Sequence, residues 1–155
     1  MKAKEFLKKL QKLDRLIENK LIERDQWFAM ATSTTAASAP ETGIRVQSSG
    51  SKQQMANATT AYIDIERDID ACIDRLYDEK KKVLAVIEQL EVIEYDILHK
   101  VYVGVMKKTA QGKKRYYYTL DDIAEYFGKS RSWADTKHGI ALKHVQNIID
   151  NCEKL

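Results

Sequence analysis

The stretch "TLDDIAEYFGKSRSWADTKHG", residues 119–139, contains two helical patterns separated by a break. Thr119 followed three residues later by Asp122 is a capping box in its acidic form, which starts a helix at about Leu120. Ile123, Ala124 and Phe127 give that helix its buried side. Gly128 stops it after two turns, because glycine enters the left-handed conformation of a helix end without a steric penalty. Ser130 can then cap a second helix. Two short helices joined by about three residues have the spacing of a helix-turn-helix, and a small residue such as Ala124 suits the point where they cross.

In a second helix starting at Ser130, residues Ala134, His138, Ala141, Val145 and Ile148 share one face. The opposite row holds Ser132, Thr136, Gly139 and Lys143, with no large apolar group, and Arg131 and Asp135 flank it as an i,i+4 pair. Short hydroxyls, an arginine and a glycine suit a helix lying in the major groove of DNA. Ser130, Arg131, Ser132, Asp135 and Thr136 are the residues expected to face bases. Lys129, Lys137 and Lys143 are expected to face phosphates. Gly139 costs about 1 kcal/mol relative to alanine inside a helix, so either close approach to the DNA backbone or a helix break is expected there.

Working outward, "VMKKTAQGKKRYYY" precedes this motif and carries five bases without an acid, followed by three tyrosines. Valine and tyrosine around a glycine-containing turn fit a β-ribbon or an ordered loop. Lys113, Lys114 and Arg115 are expected to make phosphate or minor-groove contacts. Further upstream, "EVIEYDILHKVYVG" reads as a short helix with Ile93, Ile97, Leu98 and Val101 inward and Gly104 as its stop. Before it, Ala58, Tyr62, Ile65, Ile69, Cys72, Leu76, Val83, Ile87 and Leu90 keep a 3/4 alternation, broken at Glu79 and Lys80, with coiled-coil-like spacing. Its partner is the N-terminal helix, a second copy of the chain, or both. Phe6, Leu10, Leu13, Ile17 and Leu21 form the matching stripe of that N-terminal helix.

The expected fold class is all-α: long coiled-coil-like helices, then a C-terminal helix-turn-helix head, with room for a short β-hairpin insertion. The expected segments are an amphipathic helix (1–30), a flexible linker (31–54), a long helical region (55–104), a basic loop or hairpin (105–118) and the head (119–155). The linker is expected because its text is small and polar, with too few apolar groups to offset the entropy of ordering it.

Charge is distributed unevenly. The net charge is +3 over 155 residues, yet residues 61–99 hold 5 bases and 11 acids, whereas residues 100–155 hold 11 bases and 6 acids. An anionic partner for the C-terminal third is implied. The acids Asp64, Glu66, Asp68, Asp70, Asp74 and Asp78 read as a solvated helix face, with no Glu-x-x-His motif beside them. Neither a phosphate-binding glycine loop with lysine nor His-Glu-x-x-His occurs. His138 reads as packed, and His99 and His144 lack partners in the pattern. The two cysteines, Cys72 and Cys152, have no zinc spacing, so a reduced intracellular protein is expected. The charged N-terminus reads as neither signal peptide nor membrane span. No enzyme, metal or cofactor is expected.

"LDDIAEYFGKSRSWADTKHGIALKHV" resembles the last helices of sigma-factor region four, and "IEQLEVIEYDILHKVY" resembles the helix before them. More specifically, "YIDIERDIDACIDRLYDEKKKVLAVIEQLEVIEYDILHKVYV" together with "HGIAL" is similar to the ArpU-like phage transcriptional regulators of Gram-positive bacteria and their prophages, over residues 54–149. The resemblance implies promoter DNA as ligand, late phage genes as target, bacterial RNA polymerase as a partner and the host cytoplasm as location. Ala134 stands where the pattern carries valine or isoleucine, which implies a looser helix contact or one filled by Trp133. The link between "VYVG" and "TLDDIA" is longer than in that pattern. Three functions stay open: a sequence-specific regulator binding as a dimer, an RNA-polymerase-binding adaptor without strong DNA specificity, and a DNA-packaging or recombination accessory subunit.

Overall fold

A computed structural model describes residues 1–32 and 49–152. The chain is mostly helical with one two-stranded antiparallel hairpin, as the sequence pattern leads one to expect. The order is α1 (Ala3–Thr32), α2 (Ser49–Ile87), α3 (Val92–Leu98), a π-helical turn (His99–Val103), β1 (Val105–Thr109), β2 (Gly112–Tyr116), α4 (Leu120–Phe127) and α5 (Arg131–Cys152). Residues 31, 32 and 49–54, expected in the linker, belong to α1 and α2, whose periodic stretches propagate helix into these polar ends. The rest of the expected linker, 33–48, lies outside the described residues.

The chain forms two compact units, one of Met1–Asp14 with Arg75–Leu155, the other of Arg15–Asp74. In the second unit α1 lies along α2. Lys20 Nζ meets Asp68 Oδ2 at 3.1 Å, the rings of Phe28 and Tyr62 are 5.5 Å apart, and Ala58 and Ile69 are buried.

The first unit carries the larger core. Phe6, Leu7 and Leu10 of α1 pack with Val83 and Ile87 of α2, Leu98, Tyr102 and Val103, and Ala141, Val145 and Ile149 of α5. The seam of α2 is thus filled in this unit by α1 and the C-terminal helices. On α5 the deeply buried residue is Ile149, with Ile148 only half-buried, a shift of one position that follows the 3.6-residue period over four turns. A second cluster joins Ile97, Ile123, Ala124 and Ala134, flanked by Phe127 and Trp133.

α3 runs on into the π-helical turn and ends at Gly104, whose N–H donates to the His99 carbonyl at 2.8 Å. Gly104 has φ 79° and ψ 167°, a region open essentially to glycine alone. The chain then turns into the hairpin, which returns so closely that a Cβ at Gly104 would lie 3.0 Å from the Tyr116 carbonyl oxygen.

His99 and His144 both have neighbours, contrary to the sequence pattern. His144 Nδ1 lies 2.8 Å from Oε2 of buried Glu94, and the His99 ring packs 5.5 Å from Tyr95. His138 is packed as expected, with Nε2 3.0 Å from the Tyr102 hydroxyl. Burial pushes the Tyr102 phenol up to about 12 and holds His138 below its ordinary value. Two neutral groups therefore meet, and the imidazole tautomer sets which of them donates. Burial also lowers His99. On acidification the unfolded chain takes up these protons first, so stability fully present above about pH 6.5 is lost as the pH falls. The denaturation midpoint is expected to drop between pH 7.5 and 5.5, and His138→Gln should flatten part of that drop.

Candidate nucleic-acid interface

The elements expected to touch nucleic acid belong to one unit and are locally over-determined. At the start of α4 the capping box is complete: Asp122 N–H donates to Thr119 Oγ1 at 3.2 Å, and Thr119 N–H donates to Asp122 Oδ2 at 2.8 Å. The same carboxylate oxygen accepts from the Tyr116 hydroxyl at 2.8 Å, which ties the end of β2 to the start of α4. These donors, the Thr119 N–H first, hold the Asp122 carboxyl below the usual carboxylate range.

At the other end of α4, Gly128 has φ 62°. Its N–H donates to the Glu125 carbonyl at 3.1 Å, and the Lys129 N–H donates to Ala124 at 2.9 Å, the two bonds of a Schellman motif. Ser130 Oγ accepts from the Trp133 N–H at 3.2 Å and caps α5. Gly128, Lys129 and Ser130 thus form a three-residue turn between the helices. Ala124 and Ala134 let α4 and α5 approach closely, and Trp133 packs against Phe127 with ring centroids 5.4 Å apart. This is the connectivity of a helix-turn-helix, with Trp133 packed beside the small contact.

On α5, Ser132 and Lys143 are exposed, and Thr136 is exposed with its hydroxyl donated back to the Ser132 carbonyl at 2.9 Å. Thr136 therefore offers a methyl group and lone pairs rather than a proton. The helix runs unbroken through Gly139, so of the two expectations for that glycine the break does not occur. No atom lies within 4 Å of a Cβ built there, so internal packing does not demand glycine. Lys129 is exposed and Lys137 half-buried. Arg131 makes two ion pairs, with Asp135 (Nε to Oδ2, 3.3 Å) and with Asp121 of α4 (Nη1 to Oδ1, 2.7 Å). The Asp121 bond, then the nearby Asp135 charge, raises its guanidinium further above the ordinary value.

The hairpin register sets Lys107 against Lys114 and Lys108 against Lys113. Like charges directly opposite each other on a strand pair oppose folding, so this arrangement does not serve the hairpin itself. Among the described residues, Lys108, Lys113 and Lys114 have no acidic partner, and all three are exposed. Lys107 Nζ sits over the rings of Tyr116 and Tyr118, at 3.8 and 4.9 Å from their centroids.

Arg115 departs from its expected role. Its Nη1 lies 2.7 Å from both carboxylate oxygens of Asp14 on α1, and Tyr117 donates to the same carboxylate. It anchors the hairpin, where Lys113 and Lys114 project freely. Alternation along the strands separates them only in part, since Arg115 shares a face with Lys108 and Lys113. A chain of ring contacts, Tyr116 to Tyr118 to Tyr126 to Phe127 to Trp133, joins the hairpin base to α5.

Sequence reasoning missed two groups here. Asp121 gives no pairing signal with Arg131, since the two are brought together only by the turn. Lys107 and Lys108 were visible as part of the basic run, but only the hairpin register pairs them with Lys114 and Lys113. Among the described residues, no group of three or more His, Cys, Asp or Glu could hold a metal ion, and no helix is long and apolar enough to cross a membrane. No family model, curated protein or solved structure matches the chain.

Proposed function

We propose that this chain is a sequence-specific, duplex-DNA-binding transcriptional regulator of phage or prophage genes, late genes foremost. The observation that carries the reading is the α4–turn–α5 unit, which fixes the outward row Ser132, Thr136, Gly139 and Lys143 on a helix start fastened by a Schellman turn and a serine cap. α5 enters the major groove. Ser132 and Thr136 face base edges, and Lys129, Lys137 and Lys143 face phosphates. The lysine hairpin lies along the neighbouring backbone, where phosphates relieve the repulsion between its paired lysines.

The phage assignment and a role for bacterial RNA polymerase rest on the resemblance to ArpU-like regulators and sigma-factor region four. Self-association is part of the proposal. Ile22, Phe28, Met30 and Ile63 are large apolar side chains left exposed in the Arg15–Asp74 unit, and pairing through it would present two heads to paired half-sites. No catalytic role is proposed.

Selection from a pool of random duplexes is the test. A shared motif is expected, and recovery of unrelated duplexes would sink the reading in favour of a polymerase adaptor. Gly139→Ala should stabilise the free protein by about 1 kcal/mol while weakening binding to the selected duplex. Unchanged binding would remove the close approach at Gly139.

A further inference from the structure

We infer that Arg131 is a base-reading side chain for guanine, and that Asp121 and Asp135 are positioning residues that hold its guanidinium as a preset fork. The inference rests on the duplex-DNA reading above and assigns its specificity to one side chain.

Charge rules out the simpler role of phosphate clamp. Arg131 is exposed at the first position of α5, where a lone arginine would attract any phosphate. Here two exposed carboxylates lie against it, at 2.7 Å on Nη1 and 3.3 Å on Nε. The group of three carries a net negative charge, so the DNA backbone gains nothing from it. What the group keeps is donor capacity. A guanidinium has five N–H bonds, and these two contacts leave both hydrogens on Nη2 and one on Nη1. Paired N–H donors match the O6 and N7 acceptors on the major-groove edge of guanine, the commonest specific contact made by arginine.

Position and rigidity point the same way. The anchor on Asp121 comes from α4 and that on Asp135 from α5, so the guanidinium is fixed relative to both helices rather than swinging on its stem. Fixing it before binding lowers the entropy lost on contact. The two carboxylates also repel the backbone of any duplex in which no guanine rewards the approach, which lowers affinity for wrong sequences. Asp135 therefore orients the reader and is not itself a reader of bases.

The test uses the full chain and duplexes selected by the wild-type protein. The expected motif contains a guanine whose replacement weakens wild-type binding by roughly 5- to 100-fold. Arg131→Ala and Arg131→Lys should both lose that preference, since lysine keeps the charge but not the fork. Asp121→Asn and Asp135→Asn should each reduce the preference at the same position while tightening binding to unrelated duplexes. All three side chains are exposed, and thermal unfolding of the four variants checks that they fold. A purely structural role for the ion pairs predicts lowered thermal stability with base preference intact, and that result overturns the inference. A motif that survives Arg131→Ala at every position overturns it too, while leaving the DNA-binding reading standing. Failure of the wild type to select any motif overturns both.

Discussion

Replacing Lys107, Lys108, Lys113 and Lys114 together by glutamine is expected to flatten the salt dependence of DNA binding by about 3.6 in the log–log slope, since each phosphate neutralised contributes roughly 0.9. Between 50 and 200 mM salt that difference amounts to about a hundredfold in relative affinity. The reason lies in the register. Lys107 faces Lys114 and Lys108 faces Lys113 across the hairpin, an arrangement that opposes folding, is eased within the hairpin base only where Lys107 lies over tyrosine rings, and is relieved further by anions brought from outside. The same variant should therefore fold at least as stably as the wild type. Loss of affinity with retained or raised stability separates a binding role from a structural one. Arg115→Gln should behave in the opposite way, with little change in slope and lower stability, because Arg115 is spent on Asp14. An unchanged slope in the lysine variant would remove the hairpin from the interface.

Gly104→Ala is expected to be strongly destabilising for so small a change, at about 2–5 kcal/mol from backbone strain plus overlap. The backbone at φ 79°, ψ 167° excludes a side chain by its own sterics. A methyl group would also lie 2.9 Å from Arg115 Cγ and 3.1 Å from Tyr117 Cε1, besides the Tyr116 carbonyl. Arg115 and Tyr117 are the residues that hold Asp14, so relief of the clash displaces the hairpin anchor. Gly128→Ala makes the control: its φ of 62° carries a cost of about 1–2 kcal/mol, and no atom lies within 4 Å of the added carbon. Denaturant titration should rank Gly104→Ala well above Gly128→Ala. Faster hydrogen exchange in β1 and β2 is expected for the first variant only. Equal destabilisation by the two would mean that the hairpin does not press on Gly104.

The local grammar of the head was legible in the sequence because its causes are local. The Thr119–Asp122 box, the Gly128 stop and the Ser130 cap each depend on residues within four positions of one another, and backbone sterics enforce them wherever the chain goes. The apolar stripes of α1 and α2 were legible for the same reason: a helical period is written at steps of three and four. At the edges the pattern weakened. The polar residues 49–54 lack an apolar stripe, and they became helix because an existing helix extends at little cost.

What the sequence alone determined about this protein is the order of helices, a turn at Gly112, the helix-turn-helix spacing and the concentration of positive charge in the last third, while the choice of hairpin over ordered loop came from strand pairing. What only tertiary structure decided is the use made of each charge. Arg115 and Asp14 are 101 residues apart, and no local rule pairs them. Arg131 meets Asp121 only because a left-handed glycine folds α5 back against α4. Five bases that read alike in the basic run were sorted by packing into one anchor and four opposed lysines. A charge is identical along the chain wherever it stands, and its partner depends on the distance that folding sets.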